Sequence, residues 1–318
     1  MKQNQPKCEH PWTRRGFLRG TVAAVSASCL SPAFAQARGD ELAFTASGPG
    51  YTFDTGVLKG TLRSQGKSRG LLPVVDCPSG KSIARGAGLF SHYRLLDAET
   101  RYGTAAWDWT SQSQRLADGT VQVHWRADEA HPFDLTAAYK WAAPHVLDVT
   151  TSVVARKDLL RFESFLACYF EGFPASYVYV KKGPDSSGDA GFFEAKKSFA
   201  AWQIFPRDAA AEKTILDGRW ARKPNPVGWR IAPELAAPLA MRRDAESGLA
   251  GIVMAPPDDC FTVATPFGEE SHRSLYLSLL GRDVKSGEKA TARSRLVIAR
   301  DLSDQQVIAL YQAYLNEL

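Results

Sequence analysis

The chain has 318 residues, 44% of them hydrophobic and 23% charged, with a formal net charge of +5. This supplies a large core and excludes a disordered, collagen-like or low-complexity chain. Five cysteines over this length exclude a disulfide scaffold.

Residues 1–35 read as an export signal. Arg14-Arg15 precede Gly16-Phe17-Leu18, as in twin-arginine signals. An apolar run over 21–30 follows, too short to span a bilayer, and Ala33 and Ala35 fit an A-x-A cleavage site. The alternative is an uncleaved amphipathic start or a membrane anchor. The expectation is a precursor that engages the twin-arginine export machinery, is cut near Ala35 and leaves residues 36–318 in the bacterial periplasm or outside the cell as one domain. Lys2, Lys7, Arg14, Arg15 and Arg19 against Glu9 carry four of the five net charges. The remainder is nearly neutral, so no nucleic-acid partner is expected, and no later segment is long and apolar enough for a membrane span. Cys77, Cys168 and Cys260 remain after cleavage. They match no zinc spacing. One disulfide among them is permitted by export, and at least one buried free thiol is expected.

From Glu41 to about Arg300 the pattern is strand after strand. Gly66-Lys67-Ser68-Arg69-Gly70 has the spacing of a serine-hydrolase elbow, but Leu71-Leu72-Pro73 follows instead of a helix, so it reads as a turn. Val121–Trp125 alternates after the turn signal Asp118-Gly119. Residues 146–154 are rich in β-branched side chains, and 177–180, 249–254, 273–280 and 295–299 are further strands. Residues 182–189 and 223–228 read as long surface loops. One helix closes the chain: Ser303 and Gln306 form a capping box, and Val307, Leu310, Tyr311, Tyr314 and Leu318 share a face. The pattern predicts a mainly β fold, a large antiparallel sandwich with a C-terminal helix.

The segments 280–288 and 292–298 resemble the closing hairpin of galactose mutarotase-like proteins. Pro78-Ser79-Gly80-Lys81 leading into Gly88-Leu89-Phe90-Ser91-His92-Tyr93-Arg94 is similar to the His-bearing early strand of some members. The resemblance implies a β-supersandwich, a fold that serves sugar epimerases, polysaccharide lyases and accessory domains of glycosidases. The His-His-Glu pattern of the epimerases has no residue-by-residue match, so that activity does not carry over. The chain also resembles a group of uncharacterised exported bacterial proteins.

Four clusters of polar and aromatic residues are candidate sites. In the first, His92 and Arg94 are expected on one strand face and Tyr93 on the other, followed by Trp107 and Trp109 pointing one way and Asp108 the other. The tryptophans offer sugar-stacking surfaces if they line a groove, and belong to the core otherwise. In the second, Arg161, Glu163, Tyr169 and Glu171 share a face opposite Phe162, Leu166, Cys168 and Phe170. Glu163 is either a carboxyl with a raised pKa or half of an Arg–Glu pair. In the third, Trp202 precedes Arg207-Asp208 and Asp217-Gly218-Arg219-Trp220, where the arginines either brace turns or grip a carboxylate. In the fourth, Glu269 and Glu270 precede His272, which is expected to share a strand face with Tyr276 opposite Leu275, Leu277 and Leu279.

The function expected from these clusters is recognition or processing of carbohydrate. An enzyme would move a proton on a sugar or uronate, as an epimerase or lyase does. His92 or His272 would be the base, Tyr93 or Tyr276 the proton donor, Glu163 a spare acid, and Arg94, Arg207 or Arg219 the anion holder. Such an enzyme needs His92, Arg94, Glu163, Arg207 and His272 in one cleft. The alternative, a non-catalytic sugar-binding or envelope-assembly module, needs only a shallow aromatic surface. The sequence names no cofactor and no metal site.

Overall fold

The computed structural model describes residues 42–65, 68–183 and 188–318. The expected export signal, Gly66-Lys67 of the G-x-S-x-G run and residues 184–187 of one expected loop lie outside them.

The chain builds β1 (Thr45–Ser47), β2 (Gly50–Asp54), β3 (Leu58–Arg63), β4 (Gly70–Asp76), β5 (Ser91–Leu96), β6 (Gln112–Arg115), β7 (Val121–Trp125), β8 (Phe133–Ala143), β9 (Val146–Ala155) and β10 (Leu159–Tyr169). It continues through β11 (Ala175–Val180), β12 (Gly191–Glu194), β13 (Trp202–Pro206), helix α1 (Ala209–Ile215), β14 (Arg230–Ile231) and β15 (Leu235–Arg243). It closes with β16 (Leu249–Met254), β17 (Cys260–Pro266), β18 (Ser274–Val284), β19 (Lys289–Arg300) and helix α2 (Asp304–Asn316). Hairpin turns fall where the sequence signals them. Gly119 and Gly287, both at φ 83°, occupy the left-handed region that glycine enters without a Cβ clash.

Among the described residues three sheets form, with orders β1-β2-β3-β4, β14-β13-β17-β18-β10-β5 and β12-β11-β15-β16-β19-β9-β8-β7-β6. Among the described strands all pairings are antiparallel except β13 with β14. The expected mainly β sandwich and C-terminal helix are what the structure shows. Period-two alternation sorts each central strand to two sides. Leu166 and Cys168 of β10 and Leu275, Leu277 and Leu279 of β18 meet Val123, Leu135, Tyr139 and Val253 of the nine-stranded sheet in the main core. Burial of each such leucine contributes about 1.5–3 kcal/mol.

Two further apolar layers cover the outsides. Val307, Tyr311 and Tyr314 of α2 pack on Leu239, Met241, Ile252 and Met254, on the outer face of the nine-stranded sheet. The capping box starts α2 as expected: Ser303 Oγ accepts from Gln306 N at 3.3 Å, and Gln306 Oε1 accepts from Ser303 N at 2.8 Å. On the outer face of the six-stranded sheet lie Phe165, Ala167 and Tyr169 of β10, Ile204, Ala264 and Tyr276, joined by Ala211 and Ile215 of α1. Helix α1 was not expected. It spans only two turns, too short for a periodic signal, but Asp208 caps it by accepting from Ala211 N at 2.8 Å. Cys77, Cys168 and Cys260 are all free thiols, the last two buried.

Candidate functional site

The outer face of the six-stranded sheet carries the site, and an irregularity on its edge strand helps to form it. Leu95 pairs with Ser164 and His92 with Leu166, so Tyr93 and Arg94 together oppose Phe165 alone. This is a β-bulge. It puts an extra residue on β5 and turns two consecutive side chains the same way. Strict alternation predicts His92 and Arg94 on one face and Tyr93 on the other. The bulge corrects this: Tyr93 and Arg94 both line an outer cleft, and His92 goes to the core.

The cleft has a volume of about 500 Å³. Phe165, Tyr169 and Tyr276 form its floor, Trp202 and Trp229 stand at one side, and the loop Asn225–Gly228 is another wall. That loop is held by arginines that donate to backbone carbonyls: Arg94 Nη2 to Asn225 O at 2.8 Å, Arg101 Nη1 to Pro224 O, and Arg222 Nη1 to Asp97 O at 2.9 Å.

Arg94 is the main charge in the cleft. It is 3% exposed, with its guanidinium 5.0 Å from the Tyr93 ring centre and 5.3 Å from that of Trp220. Among the described residues its Nε and Nη1, both buried, have no hydrogen-bond partner, and no carboxylate pairs with it. A buried guanidinium without a counter-ion is costly and favours an anion beside it. At the mouth stands His272, 52% exposed, whose Nδ1 lies 2.9 Å from Glu270 Oε1. Burial pushes the Glu270 carboxyl up, but hydrogen bonds from the His272 ring and backbone N–H outweigh it and hold the carboxyl below its ordinary range. β18 begins at Ser274, so His272 sits in the turn before the strand rather than on it, yet reaches the same cleft as Tyr276.

Between them runs a short chain of hydroxyls. Ser274 Oγ donates to Tyr276 Oη at 2.8 Å, and Tyr276 Oη donates toward Tyr169 Oη at 3.4 Å. Burial pushes the Tyr276 phenol up to about 12 and the Tyr169 phenol well above its usual value. Both stay protonated at neutral pH and can donate. The Tyr169 ring lies 6.4 Å from that of His272, and Trp202 lies 5.3 Å from it.

Of the expected site residues, Tyr93, Arg94, His272 and Tyr276 meet here. His92 does not. It is buried against Trp125, its Nε2 is 2.9 Å from Thr151 Oγ1, and desolvation pushes its pKa down to about 3. Glu163 is fully buried under Arg219, with Nη1 to Oε2 at 3.0 Å, and Arg219 also grips Asp217 in bidentate fashion at 3.0 and 2.8 Å. Burial pushes the Glu163 carboxyl up against the pull of Arg219. The pair is an internal brace, and neither residue lines the cleft. Arg207 is spent on Asp208 at 2.8 Å and Pro257 O at 2.8 Å, also away from it. The two tryptophans separate because Ala106–Asp108 is a 3₁₀ turn, not a strand. Trp107 stacks on Tyr93 at 4.6 Å and 7°, beside the cleft, whereas Trp109 lies over His131 at 3.7 Å, in a different groove.

Sequence reasoning missed Tyr169 and Trp229 as lining residues and Glu270 as the partner of His272. Alternation along β10 puts Tyr169 on the correct face, two pleats from Phe165, and the His272–Glu270 spacing of two residues is that of a turn hydrogen bond. Trp229 carried no local signal.

No family model matches this chain, and no curated protein does either. Solved structures are similar in fold. A protein in glycosyl hydrolase family 38 from Enterococcus faecalis is 8% identical, with a TM-score of 0.52 over 86% of this chain and 32% of that one. A galactose mutarotase-like protein from Clostridium acetobutylicum is 12% identical, with a TM-score of 0.47 over 82% of this chain and 99% of that one. A heparan sulfate lyase from Pedobacter heparinus is 8% identical, with a TM-score of 0.45 over 81% of this chain and 36% of that one. At these identities the likeness is one of fold alone.

Proposed function

We propose that the cleft binds an acidic carbohydrate and that the protein moves a proton on it, most simply by β-elimination at a uronate. The observation that carries this reading is Arg94, a cation that lines the aromatic cleft, has no carboxylate partner among the described residues and shares the cleft with His272, which is paired with Glu270. Arg94 neutralises the sugar carboxylate, which acidifies the adjacent ring carbon. His272, oriented by Glu270, takes the proton from that carbon. The carbon–oxygen bond to the leaving sugar breaks, a double bond forms in the ring, and the leaving oxygen takes a proton from the Tyr276–Tyr169 pair. Tyr93, Trp202 and Trp229 offer faces for sugar rings. Export through the twin-arginine route and residence in the periplasm or outside the cell belong to the same proposal, since polymeric uronates are met there.

A second reading is a non-catalytic sugar-binding module. The dispersal of His92, Glu163 and Arg207 away from the cleft overturns the enzyme built on all five expected residues and favours this second reading; the elimination proposed above rests on the smaller set Arg94, His272 and Tyr276. One experiment separates the two. Purified residues 36–318 are mixed with a panel of uronate polymers, and the ultraviolet absorbance of the unsaturated product is followed beside a binding measurement. Turnover that Arg94→Met abolishes supports elimination. Binding without turnover, lost in Arg94→Met, supports the module. Neither binding nor turnover across the panel overturns the acidic-sugar reading.

A further inference from the structure

Arg242 lies near the end of β15, in the nine-stranded sheet, and its side chain is fully buried. Among the described residues no carboxylate forms an ion pair with it. Burial, with help from nearby Arg273, pushes its pKa down to about 9. A buried unpaired charge costs several kcal/mol, and a well-packed apolar residue of similar volume is commonly neutral or better at such a position. Packing alone therefore gives no reason for an arginine here, although its removal takes a donor from three backbone carbonyls. What the arginine does is visible in its acceptors. Nε donates to Phe173 O at 3.0 Å, Nη1 to Ser274 O at 3.3 Å and Nη2 to Gly268 O. Gly268 and Ser274 are the two ends of the turn that carries Glu270 and His272.

Other contacts hold the same turn as well: Gly268 N donates to Ala195 O at 2.9 Å, Phe267 N to Ala201 O at 3.0 Å, and Thr265 Oγ1 to Ser274 O at 2.9 Å. Phe170 N donates to Arg273 O at 3.0 Å and Arg273 Nη1 to Gly172 O at 2.9 Å. A Cβ on Gly268 would stand 2.3 Å from Pro174 O, so the chain passes close there.

We infer that Arg242 is a positioning residue for His272: its planar fork crosses the sandwich, binds both ends of the turn and holds the imidazole against Tyr169 and Trp202. The inference rests on the reading of His272 as the base, but its geometry can be tested without any activity. Lysine keeps the charge and cannot span three carbonyls, whereas the guanidinium fork can.

The test compares residues 36–318 with the Arg242→Met and Arg242→Lys variants by NMR. In the unsubstituted protein, cross-relaxation is expected between the His272 and Trp202 rings, whose centres lie 5.3 Å apart, and between the stacked Phe165 and Tyr276 rings at 4.5 Å. Both variants are expected to lose the His272–Trp202 signal and to keep the Phe165–Tyr276 signal, which reports the strands beneath. If turnover of a uronate polymer has been found, kcat falls about tenfold in both variants with KM unchanged, the mark of misplacement rather than lost binding. Persistence of the His272–Trp202 signal in a folded variant, or its full restoration by lysine, overturns the assignment. So does unfolding of both variants, which would make Arg242 a strut of the whole sandwich. Absence of turnover with the NMR result as expected would count against the base role of His272 and leave the positioning by Arg242 standing.

Discussion

His92 and His272 are both held by the six-stranded sheet and both sit among aromatics, yet they face opposite ways. His92 projects into the dry space between the sheets, makes one hydrogen bond to Thr151 and is kept neutral by desolvation. His272 stands at the mouth of the outer cleft beside an ionised carboxylate. The same contrast separates two glutamates: Glu163 is sealed under Arg219, and Glu270 orients a half-exposed ring. Residue type is the same within each pair, and both histidines have aromatic neighbours. The side of the sheet, and what covers it, decides whether the group is a brace or a reagent.

The largest expected effect breaks the contrast at its reactive end. His272→Ala lowers elimination by about 10²–10⁴-fold, the contribution of one general base, while its stability in urea unfolding changes by no more than about 0.5 kcal/mol. A variant that keeps full turnover removes His272 from the mechanism. At the sealed end the signs reverse. Arg219→Met leaves Glu163 buried without its partner and is expected to cost about 3–5 kcal/mol in chemical denaturation. A loss below about 1 kcal/mol would mean that this brace is open to water.

A pH series sharpens the comparison. The folded-state pKa of His92, about 3, lies below its unfolded value near 6.5. Between these values the unfolded chain binds a proton that the folded chain refuses. The neutral ring's stabilisation is therefore present above about pH 6.5 and is lost as pH falls toward 3. The slope is up to about 1.4 kcal/mol per pH unit. His92→Gln keeps a partner for Thr151 and removes the titration, so stability measured against pH should fall less steeply than in the parent by up to that slope. Identical slopes would show that His92 is wetter than its burial indicates. The smallest effect concerns the cleft floor. Tyr276→Phe removes the hydroxyl between Ser274 and Tyr169 and is expected to cost about 1 kcal/mol of stability. If the phenol is the proton donor, turnover falls much further than stability does, and equal small losses would assign it to packing alone.

Much of the framework was legible in the sequence because it is set by local physics. Asp118-Gly119 and Ser286-Gly287 make turns because glycine alone enters the left-handed region freely, and β16 follows its apolar run from Leu249 to Met254. Ser303 and Gln306 cap α2 because they satisfy each other's orphan backbone groups. Leu275, Leu277 and Leu279 declared the core face of β18 by their period. The site was legible only in pieces. The bulge at Tyr93–Arg94 depends on the partner strand β10, the burial of Glu163 depends on Arg219 more than fifty residues away, and the separation of Trp107 from Trp109 depends on a 3₁₀ turn that local alternation does not foretell. By itself the sequence determined the mainly β class, several of the longer strands, some of their turns and the apolar face of strands such as β18, since each follows from neighbours a few residues apart. Tertiary structure decided which polar residues meet, because register across a sheet and the elements laid over it bring together groups that share no local signal.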